Sequence, residues 1–385
     1  MRSLAGVYVI VLLGTSLWGQ ESGNGGTQNC QNQAEGFTVP SCAPAVMAGR
    51  FSPSKMAQSY ISLGNTSADK GDCDRAIENY DKAIRIDPNL AEAYFGRGAC
   101  WDGKGEYEKA IADDNEAIRL NPKMAEAFNN RGIVRDQLGD YKRAIADYSQ
   151  AIHFNPKLAD AYYGRGTSWN GEDRYDKAIA DYSEAIRLNP NYAFAFKARG
   201  AAWDAKGDYT KAIADYSQAI RIDPKYDRAY YCRGFTHFIH HHYLLAMTDF
   251  RVANELNPAD AYSVIGLAMA RMRSGDTNYA HLLDQGAVAL ADDWPMPAIR
   301  FYTGQLTADQ LLAAARNPDE KKQQNHLCEA EFYLGEWQLL HGQRRSAIYN
   351  FKQAQSGCRH NYYQYLGAVE ELKRISATEP DKVAH

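Results

Sequence analysis

From residue 57 to residue 260 apolar side chains recur at steps of three and four, the period of helices that bury one face. The steps themselves repeat in six blocks: 57–90, 91–124, 125–158, 159–192, 193–226 and 227–260. Within each block position 4 is aromatic (Tyr60, Tyr94, Phe128, Tyr162, Phe196, Tyr230) and position 8 is Gly (Gly64, Gly98, Gly132, Gly166, Gly200, Gly234). Position 20 is Ala from Ala76 to Ala246, position 27 is Ala from Ala83 to Ala253, and each block closes on a proline: Pro88, Pro122, Pro156, Pro190, Pro224 and Pro258. Small residues at fixed places let two helices approach closely, Gly-Asp and Gly-Glu pairs mark a turn between them, and the proline stops the second helix. Each block therefore predicts a helical hairpin, and the array predicts hairpins stacked on their neighbours.

After Asp260 the period decays. Residues 261–290 keep a hairpin pattern around Gly275-Asp276. Trp294-Pro295-Met296-Pro297 opens a short helix ending near Gly304, and Thr307 with Gln310 has the capping-box arrangement. A charged linker spans Asn317 to Gln324. From Cys328 the pattern returns, with Leu334-Gly335, Gly342, Ala347, Phe351 and Ala354, and a last helix over roughly His360 to Ser376 covers the end of the stack.

The front of the chain is different. Met1-Arg2 precedes a mainly apolar run from Leu4 to Trp18 and then a polar stretch, which reads as a secretory signal peptide over 1–19. The run is short of the ~20 residues a spanning helix uses, so a retained anchor is the weaker alternative. Residues 20–56, rich in Gly, Asn, Gln, Ser and Pro, read as a flexible segment. The organisation expected is then 57–260 as six repeats, 261–316 as a degenerate hairpin plus short helices, 317–376 as a hairpin with its capping helix, and 377–385 as a tail. A soluble protein in an oxidising compartment follows, the periplasm by this reading.

Composition changes the picture in two places. With 43 Lys and Arg against 47 Asp and Glu in 385 residues, the chain has no basic stripe for nucleic acid. Seven cysteines in an exported chain invite disulfides. Cys328 and Cys358 sit at the two ends of one expected antiparallel hairpin, which brings them together. Cys30 and Cys42 could close a small N-terminal loop; Cys73 and Cys100 read as two buried thiols, with neighbouring positions as the alternative.

Charge also varies in step with the repeat. Position 7 is Arg97, Arg131, Arg165, Arg199 and Arg233 in the last five blocks, and position 23 in the same blocks is Asp113, Asp147, Asp181, Asp215 and Asp249. The first block has Leu63 with Asn79, and the C-terminal hairpin has Leu334 with Asn350. Positions that change together predict an ion pair joining the two helices of each hairpin, a structural role; an arginine ladder for an anionic ligand is the alternative.

The period of 34 with Gly at 8, Ala at 20 and 27 and Pro at 32 resembles the tetratricopeptide repeat. The resemblance implies an all-α, right-handed superhelical solenoid of antiparallel helix pairs whose first helices line a concave side, stabilised by stacking between neighbours. The C-terminal strings Trp294-Pro295, Phe301-Tyr302-Thr303-Gly304, Glu331-Phe332-Tyr333-Leu334-Gly335 and Glu371-Leu372-Lys373-Arg374 are similar to the NlpI-like tetratricopeptide proteins of the bacterial envelope. That likeness implies a scaffold for cell-wall enzymes. A lipid anchor is not expected, because Cys30 lacks the small-residue context that lipidation uses.

For such a groove the lining is read from positions 5, 9 and 12 of the first helices: position 5 gives Ile61, Phe95, Asn129, Tyr163, Lys197 and Tyr231, and position 12 gives Asp102, Asp136, Asn170 and Asp204. The mixture suits a peptide of some basic character; a row of Asp facing water is the alternative. The chaperone-binding members of this superfamily carry Lys at position 5 and Asn at position 9, and only Asn65 matches. His237 and His241 are one helical turn apart, but no carboxylate or Cys completes a metal shell, and a solvated turn explains the His237, His240, His241, His242 cluster. No nucleophile motif, phosphate loop or carboxylate pair appears in a catalytic context. The reading is an exported non-enzymatic adaptor for protein or peptide partners, without cofactor, metal, nucleic acid or small-molecule substrate, with a homodimer through the C-terminal region as a further contact. The alternatives are an oligomerisation module of the envelope with no groove in use, and a cytosolic co-chaperone.

Overall fold

A computed structural model describes residues 52–276, 279, 283, 293–360 and 362–377. The signal peptide, Cys30 and Cys42, most of the second helix expected after Gly275 and residues 378–385 lie outside these. All regular structure among the described residues is helical, and it falls into two compact units, one ending at Gly164 and the other beginning at Arg165.

The first unit contains α1 (Pro53–Asp69), α2 (Cys73–Ile86), α3 (Ala91–Gly103), α4 (Tyr107–Leu120), α5 (Ala125–Gln137), α6 (Tyr141–Phe154) and the start of α7 (Ala159–Gly171). The second holds the rest of α7 with α8 (Tyr175–Leu188), α9 (Ala193–Ala205), α10 (Tyr209–Ile222), α11 (Asp227–Ile239), α12 (Tyr243–Leu256) and α13 (Ala261–Arg273). It continues through two short helices, α14 (Met296–Tyr302) and α15 (Ala308–Ala314), to α16 (Glu320–Leu340), α17 (Arg344–Gly357) and α18 (Tyr363–Ala377). In both units a first helix packs antiparallel on its own second helix, and successive first helices lie side by side, α1 on α3 on α5 and α9 on α11 on α13.

Local chemistry sets these boundaries. Asp72, Asp140 and Asp208 cap α2, α6 and α10 by accepting the backbone N–H three residues on, and Thr307 with Gln310 closes a reciprocal capping box on α15. The turn residue before each second helix needs a left-handed backbone, which Gly supplies at Gly105 and Gly139; Asp173 and His241 take φ of 57° and 62° in its place. Of the stretch read as a charged linker, Glu320 to Gln324 is instead the opening of α16, and Asn317 to Asp319 lead into it. Asp319 accepts the N–H of Lys322 there, and Glu, Lys and Gln propagate a helix well, so charge density did not mark a loop.

Cys328 in α16 and Cys358 just after α17 form a disulfide, with their Cα atoms 5.1 Å apart. Cys73 and Cys100 are both unbonded. Burial, with Cys73 as neighbour, pushes the Cys100 thiol well up, so it is a protonated core side chain rather than a nucleophile.

The C-terminal unit also buries charge. Arg273 on α13 lies 2.8 Å from both Glu336 on α16 and Glu371 on α18, and Arg374 reaches Glu371 at 2.7 Å. Glu329, 4 % exposed, accepts hydrogen bonds from Trp294 Nε1 (2.7 Å) and Tyr262 Oη (3.1 Å). Desolvation outweighs those two bonds and pushes its carboxyl up to about 7 from 4.5. The folded chain therefore holds a proton that the unfolded chain has released between these values, and stability falls as pH rises through that window. Glu329→Gln is expected to remove roughly 2–3 kcal/mol of this fall, measured by denaturant unfolding at about pH 5 and pH 7.5. An unchanged slope in the variant would place the titration elsewhere.

Candidate functional site

Position 24 controls how each first-helix face is built. Tyr80 is 2 % exposed, with its ring against Gly64 of its own hairpin and Gly96 of the next; a Cβ on either glycine would come within 2.5 Å of the ring. Tyr148 is buried in the same way between Gly132 and Gly164. Close ring-on-backbone packing is thus why Gly serves at position 8 under these rings and at Gly96 and Gly164 of position 6, where Ala198 and Cys232 stand in later repeats. The phenol oxygens emerge toward the first-helix face. Tyr80 Oη donates to Asn65 Oδ1 at 2.7 Å, which engages the one residue matching the chaperone clamp, and in the second unit Tyr216 Oη donates to Asp204 Oδ2 at 2.7 Å.

The arginines of position 7 hold these faces in place. Each puts Nε and Nη2 on the two oxygens of its position-23 aspartate, at 2.6–2.9 Å: Arg97 on Asp113, Arg131 on Asp147, Arg165 on Asp181, Arg199 on Asp215 and Arg233 on Asp249. The remaining nitrogen has a partner that the pairing of positions 7 and 23 does not reveal. Nη1 bonds position 25 of the preceding repeat: Arg97 to Asp81, Arg131 to Asn115, Arg199 to Ser183 and Arg233 to Ser217. One guanidinium fork therefore ties two helices of a hairpin and the hairpin before it. A sequence signal existed: position 25 is always polar where an Arg follows, and the residue preceding Leu267 at that register is Arg251.

On the first unit Phe95, Asn129, Tyr163, Asp102 and Asp136 all remain partly exposed on the first helices. Burial raises the Asp102 carboxyl to about 6, against a lowering hydrogen bond with Gln137.

On the second unit the picture departs from the expected groove. Asn170 and Lys197 are partly exposed, but Tyr231 is 7 % exposed and Asp204 fully buried. The reason is α18, expected as an end cap, which lies against α11. Tyr363 at its head bonds Tyr216 Oη at 2.8 Å and sets its ring 6.1 Å from Tyr231 and 5.1 Å from Phe235. Glu370 accepts from Tyr209 at 3.2 Å, and Arg359, just before the helix, donates to the Gly171 carbonyl at 3.1 Å. Asp204 accepts from Tyr216 and Thr236 within hydrogen-bond distance, and burial raises its carboxyl to about 7. Tyr231 and Asp204 are thus core residues, not lining. Position 12 of that block is Phe238, where other repeats carry Ala, Asp or Asn, and position 9 is Phe235, where apart from Ile133 they carry polar or small residues; this was the available sign of a covered face.

The histidines do not converge. His240 packs on Tyr209, His241 occupies the left-handed turn and meets Tyr243 Oη at 2.7 Å, and the His237 ring faces His242 at 5.9 Å. Among the described residues no cluster of three His, Cys, Asp or Glu has a geometry for a metal ion.

Two family models match the chain, both describing the tetratricopeptide repeat, one at 64–100 and 205–238 and the other at 125–158 and 159–192. The chain carries tetratricopeptide repeats. These repeats form a protein-interaction fold. Solved structures with similar helices include a tetratricopeptide repeat protein from Parabacteroides merdae (18 % identity, 65 % of this chain and 98 % of that one, TM-score 0.50). Another is pilF of Pseudomonas aeruginosa (17 %, 55 % and 96 %, TM-score 0.50). MamA is 29 % identical over 44 % of this chain and 93 % of its own, with a TM-score of 0.39. The likeness to the first two is one of fold alone.

Proposed function

We propose that the protein is an exported, non-enzymatic adaptor that binds a protein or peptide segment on the first-helix face of the unit ending at Gly164. One observation carries the reading: this face leaves Phe95, Asn129 and Tyr163 partly exposed beside Asp102 and Asp136, whereas in the other unit Tyr231 and Asp204 are buried as α18 packs on α11. Aromatic and amide side chains with nearby carboxylates suit an extended, partly basic peptide. Export is supported by the apolar run from Leu4 to Trp18 and by the Cys328–Cys358 disulfide, a bond that persists in oxidising compartments. The C-terminal likeness to envelope adaptors points to partners among cell-wall enzymes. Among the described residues no helix is long and apolar enough to cross a membrane.

Selection of a displayed peptide library on the intact protein tests the face. Selected peptides are expected to lose about tenfold or more in affinity when Phe95 and Tyr163 are both replaced by Ala, as for anchor residues elsewhere. Peptides that bind the double variant undiminished would remove this face from the function and favour an oligomerisation module.

A further inference from the structure

The second repeat breaks the rule of position 24. Where the other repeats place Tyr or Phe, it has Asp114, and where a glycine or small residue would receive the ring it has Asn130. The two substitutions compensate in bulk: Asn130 Nδ2 donates to Asp114 Oδ2 at 2.8 Å, filling space that Tyr80 or Tyr148 fills with a phenol. They do not compensate in hydrogen bonding. In the fifth repeat the phenol of Tyr216 donates to the position-12 carboxylate, Asp204. The second repeat has a carboxylate at position 12, Asp102, no phenol to donate to it, and a further carboxylate beneath.

The result is a surplus of acceptors. Asp114 is fully buried, yet its Oδ1 has no hydrogen-bond donor. That oxygen lies 3.2 Å from where a Cβ of Gly98 would stand, one helical turn before Asp102 on the same face of α3. Asp102 Oδ1 likewise has no donor, although its carboxyl keeps a hydrogen bond with Gln137, and Asn129 Oδ1, next to Asn130 on α5, has none either. Buried acceptors without donors are costly, and two carboxylates this close repel.

We propose that this cluster receives a cationic side chain, arginine by preference, of the bound peptide, its guanidinium lying over Asp102 with Asp114 beneath. An arginine fork carries five donors in a plane, no acceptor, and a weakly hydrated charge, which matches acceptors spread over three helices. The inference rests on the peptide-binding reading and names the residue that the face selects. Groups facing Asp114 are Asp102 from α3, Asp113 from α4 and Arg131 from α5; desolvation, with repulsion from Asp113 and Asp102, raises its carboxyl despite Asn130 and Arg131. A bound cation draws both carboxyls toward the charged form, so affinity falls as pH is lowered through the range in which Asp102 takes up its proton, near 6.

The test uses N-acetyl-arginine methylamide and its neutral isostere, the citrulline analogue, titrated into the full chain by NMR with the side-chain amides of Asn129 and Asn130 as reporters. The arginine probe is expected to bind at least about tenfold more tightly than the citrulline probe, the difference a charge-assisted bidentate pair makes. Asp114→Tyr combined with Asn130→Gly restores the pair seen at Tyr80 and Gly96, and is expected to keep the melting temperature and abolish the difference. Asp102→Asn, which leaves the Asp114–Asn130 pair in place, is expected to abolish most of it and serves should the double variant not fold. Equal binding of the two probes to the wild-type chain, or an undiminished preference in Asp102→Asn, would overturn the assignment. Peptide selection can succeed while this titration fails, so the two readings fall separately.

Discussion

Replacing Tyr363 with Ala is expected to cost the C-terminal unit roughly 3–5 kcal/mol, the range for removing a large aromatic from a packed core. Its ring meets Tyr231 and Phe235, and its hydroxyl meets Tyr216, which in turn donates to Asp204. Alanine would leave Tyr231 and Phe235 without their partner and Tyr216 with one bond fewer. Tyr363→Phe keeps the packing and loses only the hydroxyl contact, for which about 1 kcal/mol is expected. Urea unfolding of the two variants separates these effects. Equal, small losses would mean that α18 does not hold the α11 face closed.

The second large effect concerns the arginine forks. Arg199→Ala leaves Asp215 buried without its main partner and removes the bond to Ser183, and a loss of roughly 2–4 kcal/mol is expected, somewhat below a fully buried pair because the arginine is partly exposed. Asp215→Ala should cost about as much. The chain supplies its own control, since the first repeat has Leu63 with Asn79, whose Nδ2 bonds the Arg75 carbonyl at 2.9 Å, and the C-terminal hairpin has Leu334 with Asn350. In a double-mutant cycle of Arg199→Leu and Asp215→Asn the combined loss is therefore expected to fall well below the sum of the two single losses, a coupling of at least about 2 kcal/mol. Additive effects would show that the two positions vary together for a reason other than their contact.

These residues also show what a sequence carries openly. Contacts between residues sixteen apart, such as Arg199 with Asp215, recur in five of the six repeats, so the copies average away noise and expose the pairing. The same regularity made the turns, the caps and the places where small residues pack readable. The position of α18 occurs once. Its contact of Tyr363 with Tyr216 spans 147 residues and follows no period, so only indirect signs existed: phenylalanines at positions 9 and 12 of the sixth block and tyrosines at the head of the last helix. The long start of α16 was missed because charged residues suit a helix surface as well as a linker. Asp114 is a break in a position-24 column otherwise filled by Tyr and Phe, a departure the expectations above did not single out. Its meaning needed the structure, because only coordinates show which oxygens lack donors.

Peptide binding on the first-helix face is tested most directly by amide hydrogen exchange of the full chain with and without a selected arginine-containing peptide. The account predicts slowed exchange in α3 and α5, around Phe95, Asp102 and Asn129, with α9 and α11 unchanged beside Tyr231. Slowing confined to α9, α11 and α18, or no slowing in α3 and α5 at saturating peptide, would contradict it.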